Sequence, residues 1–457
     1  MTCRLRAHAA APAALVAAGA LCFLPPGAAA QTPGAASAAP PAATATEPTR
    51  HGFSVARLAR IDSALQRAVD RGEVAGAVAL VLRDGQPVYE RAVGWADREA
   101  GRRMTPTTIF RIASQTKALT SVAAMALVEE GRLSLDDPVA RHLPAFARTT
   151  VVAPADSARP GGASVVPARR PITVRDLLTH TAGISYGTDS AVAARYAARG
   201  LGPAAGYGWY TADKAEPTCA TAERLAELPF VAQPGERFVY GYATDVLGCV
   251  VERAAGAPLD RVFEERITKP LGLTSTRFFL PPAERAQLAA VYLPPADTGV
   301  ARLVRAPSGP RGQGDYVDGP RQSFSGGAGL LSTARDYARF LEMLRRGGTL
   351  GSARVLAPST VAVMTTNQTG TRFSTDGEGF GLGFHTLERA GARGRPEAVG
   401  TYGWGGAYGS SYAVDPQEGL VLVLMVQQLP AQHALGARFP MLVYQALVEP
   451  RRRAGGR

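Results

Sequence analysis

Phe110-Arg-Ile-Ala-Ser-Gln-Thr-Lys-Ala-Leu-Thr-Ser-Val-Ala-Ala-Met-Ala-Leu-Val-Glu-Glu-Gly131 is the stretch from which the rest of the chain is read. Leu119, Val122, Ala123, Ala126 and Leu127 recur at helical spacing, so the segment predicts one helix with Gly131 as its stop. Nothing from Ala118 to Val128 is charged, and a helix apolar on every face is buried. Its first turn nevertheless carries Ser114 and Lys117, three apart and so on one face. A buried amine at the positive end of a helix is disfavoured as a cation, by desolvation and by the helix dipole, which suits it to act as a base. Free N–H groups in the same turn are candidate oxyanion donors. Taken alone, the pair also suits a plain helix start, with Ser114 as N-cap and Lys117 reaching solvent. Composition favours the chemical reading. Lysine occurs only at Lys117, Lys214 and Lys269, and every other basic residue is arginine, which cannot give up its proton in a protein.

Outward from this helix, Ala75–Leu82 and Val88–Val93 are apolar runs around Asp84-Gly85, a hairpin signal. Val399–Gln427 reads as two strands around Asp415-Pro-Gln-Glu-Gly419. Helices are expected over Ser54–Val69, Val174–Thr179, Glu223–Leu228, Asp245–Ala255, from the Thr333/Asp336 cap to Arg346, and over about 432–448. Tyr186–Pro217 reads as an irregular flap. Strands cluster at both ends of the chain and helices fill its middle. The expected fold class is therefore α+β, one antiparallel sheet made by both ends with a helical insertion. The α/β part is placed at about 51–113 and 325–450, and the mainly helical part at about 114–324.

Residues 1–30 read as a secretory signal, with Arg4 and Arg6 before an apolar run and Ala28-Ala29-Ala30 at the cleavage site. The mature chain is expected to begin at Gln31 and the protein to be periplasmic or secreted. Residues 31–50 read as a disordered tether and 451–457 as a basic tail. No later stretch predicts a membrane span, so no stable membrane insertion is expected. The net charge of +12 is spread along the chain beside acids rather than gathered, which argues against a nucleic-acid partner. Two cysteines, Cys219 and Cys249, remain after cleavage. Export permits a bridge, but a chain of 457 residues needs no staple, and two separate buried thiols are the default reading. The six histidines are scattered, with no Cys-x-x-Cys or His-Glu-x-x-His, so no metal site is expected.

Three further places could carry chemistry. Tyr240 lies on a loop entering a helix, as either a core aromatic or a phenol that relays a proton. Thr401-Tyr-Gly-Trp404-Gly405-Gly406-Ala407 is a glycine-dense strand, either an edge or a track along which a ligand lies. Gly183-Ile-Ser185-Tyr-Gly187 matches the Gly-x-Ser-x-Gly nucleophile elbow, which must follow a strand; here a helical segment precedes it.

Together, Ser114-Gln-Thr-Lys117, Tyr240, Trp404-Gly-Gly406, Pro171-Ile-Thr-Val-Arg-Asp-Leu-Leu-Thr-His-Thr-Ala-Gly183 and Phe324-Ser-Gly-Gly-Ala-Gly-Leu-Leu-Ser-Thr-Ala-Arg-Asp336 resemble the serine hydrolases related to class C β-lactamases. The resemblance is nearest to the family VIII carboxylesterases and covers roughly residues 54–450. It implies a β-lactamase/transpeptidase-like fold, Ser114 as nucleophile, Lys117 as its base and Tyr240 as partner in proton transfer. It also implies an oxyanion hole from the backbone of Ser114 and Ala407, acyl-enzyme chemistry and no cofactor. Trp404, Gly405, Gly406 and Tyr242 would face the substrate. The β-lactamases have Lys-Thr-Gly where this chain has Trp404-Gly405-Gly406, and Asn where it has Tyr242. These changes favour a small-molecule ester as substrate. A D-amino-acid peptidase, amidase or class C-type β-lactamase using the same residues is the alternative, followed by an inactive penicillin-binding-like protein. Should a β-lactam carboxylate find a cation here, an arginine of 301–321 is the first candidate.

Overall fold

Asp84 and Gly85 both take positive φ (53° and 79°), as the two-residue turn of a twisted hairpin requires. They join β1 (Gly76–Arg83) to β2 (Gln86–Asp97). With β3 (Arg102–Arg103), β4 (Glu378–Phe380), β5 (His385–Leu387), β6 (Tyr402–Gly405), β7 (Ser411–Asp415) and β8 (Leu420–Val426), they make one sheet of order β4-β5-β6-β7-β8-β1-β2-β3. Every neighbouring pair is antiparallel. β1 and β8 pair in register from Ala77 opposite Val426 to Arg83 opposite Leu420, so the middle of the sheet joins distant parts of the chain. The computed structural model describes residues 48–153, 164–203, 212, 214–294, 303–307 and 316–451. The signal segment, nearly all of the tether and the basic tail lie outside them, as does part of the 187–217 region.

The principal helices are α1 (Val55–Asp70), α2 (Thr116–Glu129), α3 (Thr218–Ala226), α4 (Ala243–Ala255), α5 (Ala334–Arg345) and α6 (Leu435–Ala446). Alternation along β8 divides the core. Leu420, Leu422, Leu424 and Val426 share a buried cluster with Leu58, Ile61 and Leu65 of α1 and Phe439 and Val443 of α6. Val421, Val423 and Met425 face the larger cluster built on α2, α4 and α5. The sheet is thus covered on both faces.

The central segment differs from its expectation. Phe110–Arg111 is a short strand paired with Leu331–Ser332, Ala113–Gln115 is a 3-10 turn, and the α-helix begins at Thr116. Ala113 holds φ at 44°, a left-handed conformation that prevents the helix from running back through it. From Thr116 to Leu127 every residue is buried, and Gly131 ends the segment at φ 68°. The 399–427 region holds three strands rather than two, and β4 and β5 had no counterpart in the sequence reading. The default of separate thiols is also corrected: Cys219 on α3 and Cys249 on α4 form a disulfide, with their Cα atoms 5.1 Å apart. Cys219, Cys249 and Glu252 lie close enough to suggest a metal cluster, but the bridge removes both thiolates. No helix among the described residues is long and apolar enough to cross a membrane.

Candidate active site

The short strand Phe110–Arg111 and the turn at Ala113 place Ser114 at the head of α2, half-buried, with Lys117 one turn on and almost fully buried. A non-glycine residue in the left-handed region costs about 1–3 kcal/mol, and such strain gathers where a side chain must be aimed. Gln115, the N-cap of α2, makes no side-chain cap bond. Lys117 Nζ donates to Ser114 Oγ at 3.2 Å, to the Tyr186 hydroxyl at 3.0 Å and to the Gly327 carbonyl at 2.7 Å. It also lies 4.7 Å from the centre of the Tyr240 ring and 5.8 Å from that of Tyr186.

The Gly327 carbonyl is held by a chain of contacts from α4. Asp245 Oδ1 accepts from Ser325 Oγ at 2.5 Å and from the Gly327 N–H at 3.2 Å. Glycine is required in this loop, because a Cβ at Gly327 would lie 2.4 Å from the Asp245 carboxylate. Thr120 Oγ1, one turn beyond Lys117, donates to the Gly326 carbonyl at 2.7 Å. The glycine-rich segment 324–329 is therefore the far wall of the lysine site.

β6 supplies the opposite wall. Trp404 pairs with Tyr412 on the face toward α2, α4 and α5, and its indole Nε1 donates to the Tyr240 hydroxyl at 3.1 Å. Gly406 closes the strand end onto the serine turn: a Cβ there would lie 2.6 Å from the Ile112 carbonyl oxygen. Ala407 follows directly. Ser114, Tyr186, Tyr240, Phe373, Trp404 and Ala407 line one cavity of about 950 Å³. His180 packs 4.8 Å from the Tyr240 ring, and burial, followed by the Lys117 charge, holds its imidazole well below its usual range.

The structure thus brings Ser114, Lys117, Tyr240, Trp404, Gly405, Gly406 and Ala407 together and separates Tyr242 from them. Tyr242 is fully buried, its hydroxyl accepts from the Gly202 N–H at 2.7 Å, and its ring meets Tyr186 edge-on at 5.0 Å. It supports Tyr186 rather than facing the cavity. Tyr186 was missed. It follows Ser185 in the elbow-like motif, and no spacing rule links it to Lys117, 69 residues earlier. Ser185 itself is buried, and its Oγ accepts from the Gly187 N–H at 3.0 Å, so the motif is a serine turn after a helix cap. Among the described residues, the arginines lining the cavity are Arg393 and Arg395; of the arginines expected in 301–321, Arg302 and Arg311 lie outside the described residues. Arg393 pairs with Glu378 at 3.0 Å and Arg395 with Glu397 at 2.7 Å. Arg305 and Arg321 instead bind Asp97 and the backbone of Val317 and Leu280.

A hydroxyl against an amine, two phenols and the backbone of Ser114 and Ala407 at a cavity mouth are the parts acyl transfer needs. Comparison with known proteins agrees in outline. The Beta-lactamase family model matches residues 61–445. Esterase EstB of Burkholderia gladioli is 35% identical over 396 residues, covering 83% of this chain and 93% of its own. The Mycobacterium tuberculosis protein Rv1367c is 36% identical over 386 residues, covering 80% of this chain and 89% of its own. Among solved structures, EstCE1, a hydrolase with promiscuous acyltransferase activity, superposes with a TM-score of 0.69 at 31% identity. The match covers 86% of this chain and 99% of that one.

Proposed function

The chain is a serine hydrolase of the β-lactamase family, with the β-lactamase/transpeptidase-like fold, and from that premise we propose that it cleaves carboxylic esters through an acyl-enzyme on Ser114. Lys117 acts as the base that takes the Ser114 proton while Oγ attacks the ester carbonyl. The N–H groups of Ser114 and Ala407 receive the oxyanion. Collapse of the tetrahedral intermediate expels the alcohol, which gains its proton from the phenol side of the site. Water then attacks the acyl-enzyme by the same path in reverse. Tyr240 stands between Lys117 and the Trp404 wall, and Tyr186 is bonded to the amine, so both phenols serve the relay.

The observation that carries this reading is Lys117 Nζ at 3.2 Å from Ser114 Oγ. The ester preference is supported by Trp404, whose ring offers one donor, already given to Tyr240. A β-lactam would bring a carboxylate against that ring. Burying one unpaired costs on the order of several kcal/mol, and Arg393 and Arg395 are already paired to carboxylates. The decisive measurement is kcat/KM for nitrophenyl butyrate against a chromogenic cephalosporin. The ester should be strongly preferred, and Ser114→Ala should abolish both turnover and fluorophosphonate labelling. Faster opening of the cephalosporin would replace this reading with the β-lactamase one.

Export is part of the same proposal. The basic-then-apolar start and the Cys219–Cys249 bridge both support an oxidising destination. Sequencing of the exported protein should begin at Gln31, and a retained Met1 would count against it.

A further inference from the structure

We infer that the far face of β6 is a second compartment of the substrate cavity, holding the apolar tail of an ester whose carbonyl lies at Ser114. The inference rests on the ester reading and names the part of the substrate that reading leaves open. Strand register defines the compartment. Gly403 lies opposite Ala413, which lies opposite Leu422; Gly405 lies opposite Ser411, which lies opposite Leu424. Directly paired residues share a face, and Leu422 and Leu424 belong to the face covered by α1 and α6. Trp404 and Tyr412 lie on the other. Gly403 and Gly405 therefore turn their bare backbone to the side of the sheet away from Trp404.

α6 covers this face only in part. Phe439 and Val443 join the cluster of Leu422 and Leu424, whereas Gly436 and Ala437, in the first turn, line open space beside β6. A Cβ at Gly436 would meet nothing within 4 Å, and one at Gly405 only the Ser410 carbonyl oxygen at 3.1 Å. Met441, 49% exposed, also lines this end. The space belongs to the same cavity of about 950 Å³ that begins at Ser114. The way across is the edge of β6: β5 pairs with it only at Tyr402 and Gly403, and among the described residues Trp404 and Gly405 have no strand partner on that side. The cavity is near the upper end of small-molecule sites, well beyond what a butyryl group fills. The floor of glycine, alanine and serine runs between the apolar α6 side (Ala437, Phe439, Met441) and a polar end where His385, paired with Gly403, and Arg395 line the same cavity; its narrow apolar side suits an unbranched acyl or alkoxy chain.

The test is Gly436→Leu, which puts a side chain into the groove where the backbone has room for it. Rates with nitrophenyl butyrate and nitrophenyl decanoate are compared with wild type, with melting temperature and fluorophosphonate labelling as controls. We expect kcat/KM for decanoate to fall by about tenfold or more, while butyrate turnover stays within about twofold and labelling is unchanged. The inference is overturned if a folded Gly436→Leu, and with it Ala437→Phe, leaves decanoate turnover unchanged. Equal losses on both esters, or a wild type that turns over butyrate but not decanoate, overturn it too. A wild type inactive on every ester overturns the ester reading itself, whereas failure of the groove alone leaves butyrate turnover standing.

Discussion

An amine bonded at once to a serine hydroxyl, a phenol and a backbone carbonyl is fixed from three sides, so its replacement tests chemistry and geometry together. Lys117→Arg keeps a cation but supplies a group that cannot accept a proton. It should lose as much turnover as Lys117→Ala, about 10³-fold or more in kcat. Near-native rates in the arginine variant would make Lys117 a structural cation. Tyr186→Phe and Tyr240→Phe each remove one hydroxyl and should each lower kcat by about 10²-fold, with melting temperatures close to wild type. Native rates in either would return that ring to packing. At this scale the sequence was legible where function is local. Ser114 and Lys117 share a helix face, so their spacing announces their contact. Tyr240 and Ala407 needed the family resemblance. Tyr186 and the Gly327 carbonyl could not be read, because tertiary packing alone brings residues 69 and 210 positions away onto Lys117. Tyr242 was misplaced because a position after Tyr240 says nothing about the side to which the chain turns.

Among the elements, those with a strong period or a cap could be read from sequence. Ser54 caps α1 by accepting from the Arg57 N–H, Thr333 caps α5 by accepting from that of Asp336, and Gly256 ends α4 at φ 69°. β4 and β5, three residues each, are too short to show alternation, and the pairing of β4 with β5 and of β5 with β6, rather than any local preference, makes them strands. The break at Ala113 left no mark because alanine gives no sign of a left-handed backbone. The bridge between α3 and α4 carries its own prediction. It closes a loop of sequence separation 30, which in the chain-entropy account stabilises by about 3.6 kcal/mol. Cys219→Ser/Cys249→Ser, or reduction of the wild type, should lower the denaturant-derived stability by about that amount. A loss near zero would mean that α3 and α4 are held by packing alone.

For the molecule as a whole, acidity is a sensitive variable. His180, His385 and His433 are all held below the ordinary imidazole value of 6.5, in each case chiefly by burial. A depressed value means that the unfolded chain takes up protons first as pH falls. The histidine contribution to stability should be constant above about pH 7 and decline below 6.5. Glu252, Asp260 and Asp336, raised by burial, act in the opposite sense nearer the carboxylate range. Melting temperatures at pH 7.5 and 5.5 check the balance, and an unchanged or rising midpoint on acidification would contradict it. The arrangement of the sheet has a further consequence, for the order in which the protein is made. β1 emerges early from the ribosome, but its partner on one side is β8, and Ala77 must wait for Val426. Until then the apolar strand Gly76–Arg83 has one edge unpaired, and an unpaired apolar edge is a template for association with other chains. A nascent chain released before Val426 does not lose one strand from a finished sheet; it carries an adhesive edge into a crowded compartment.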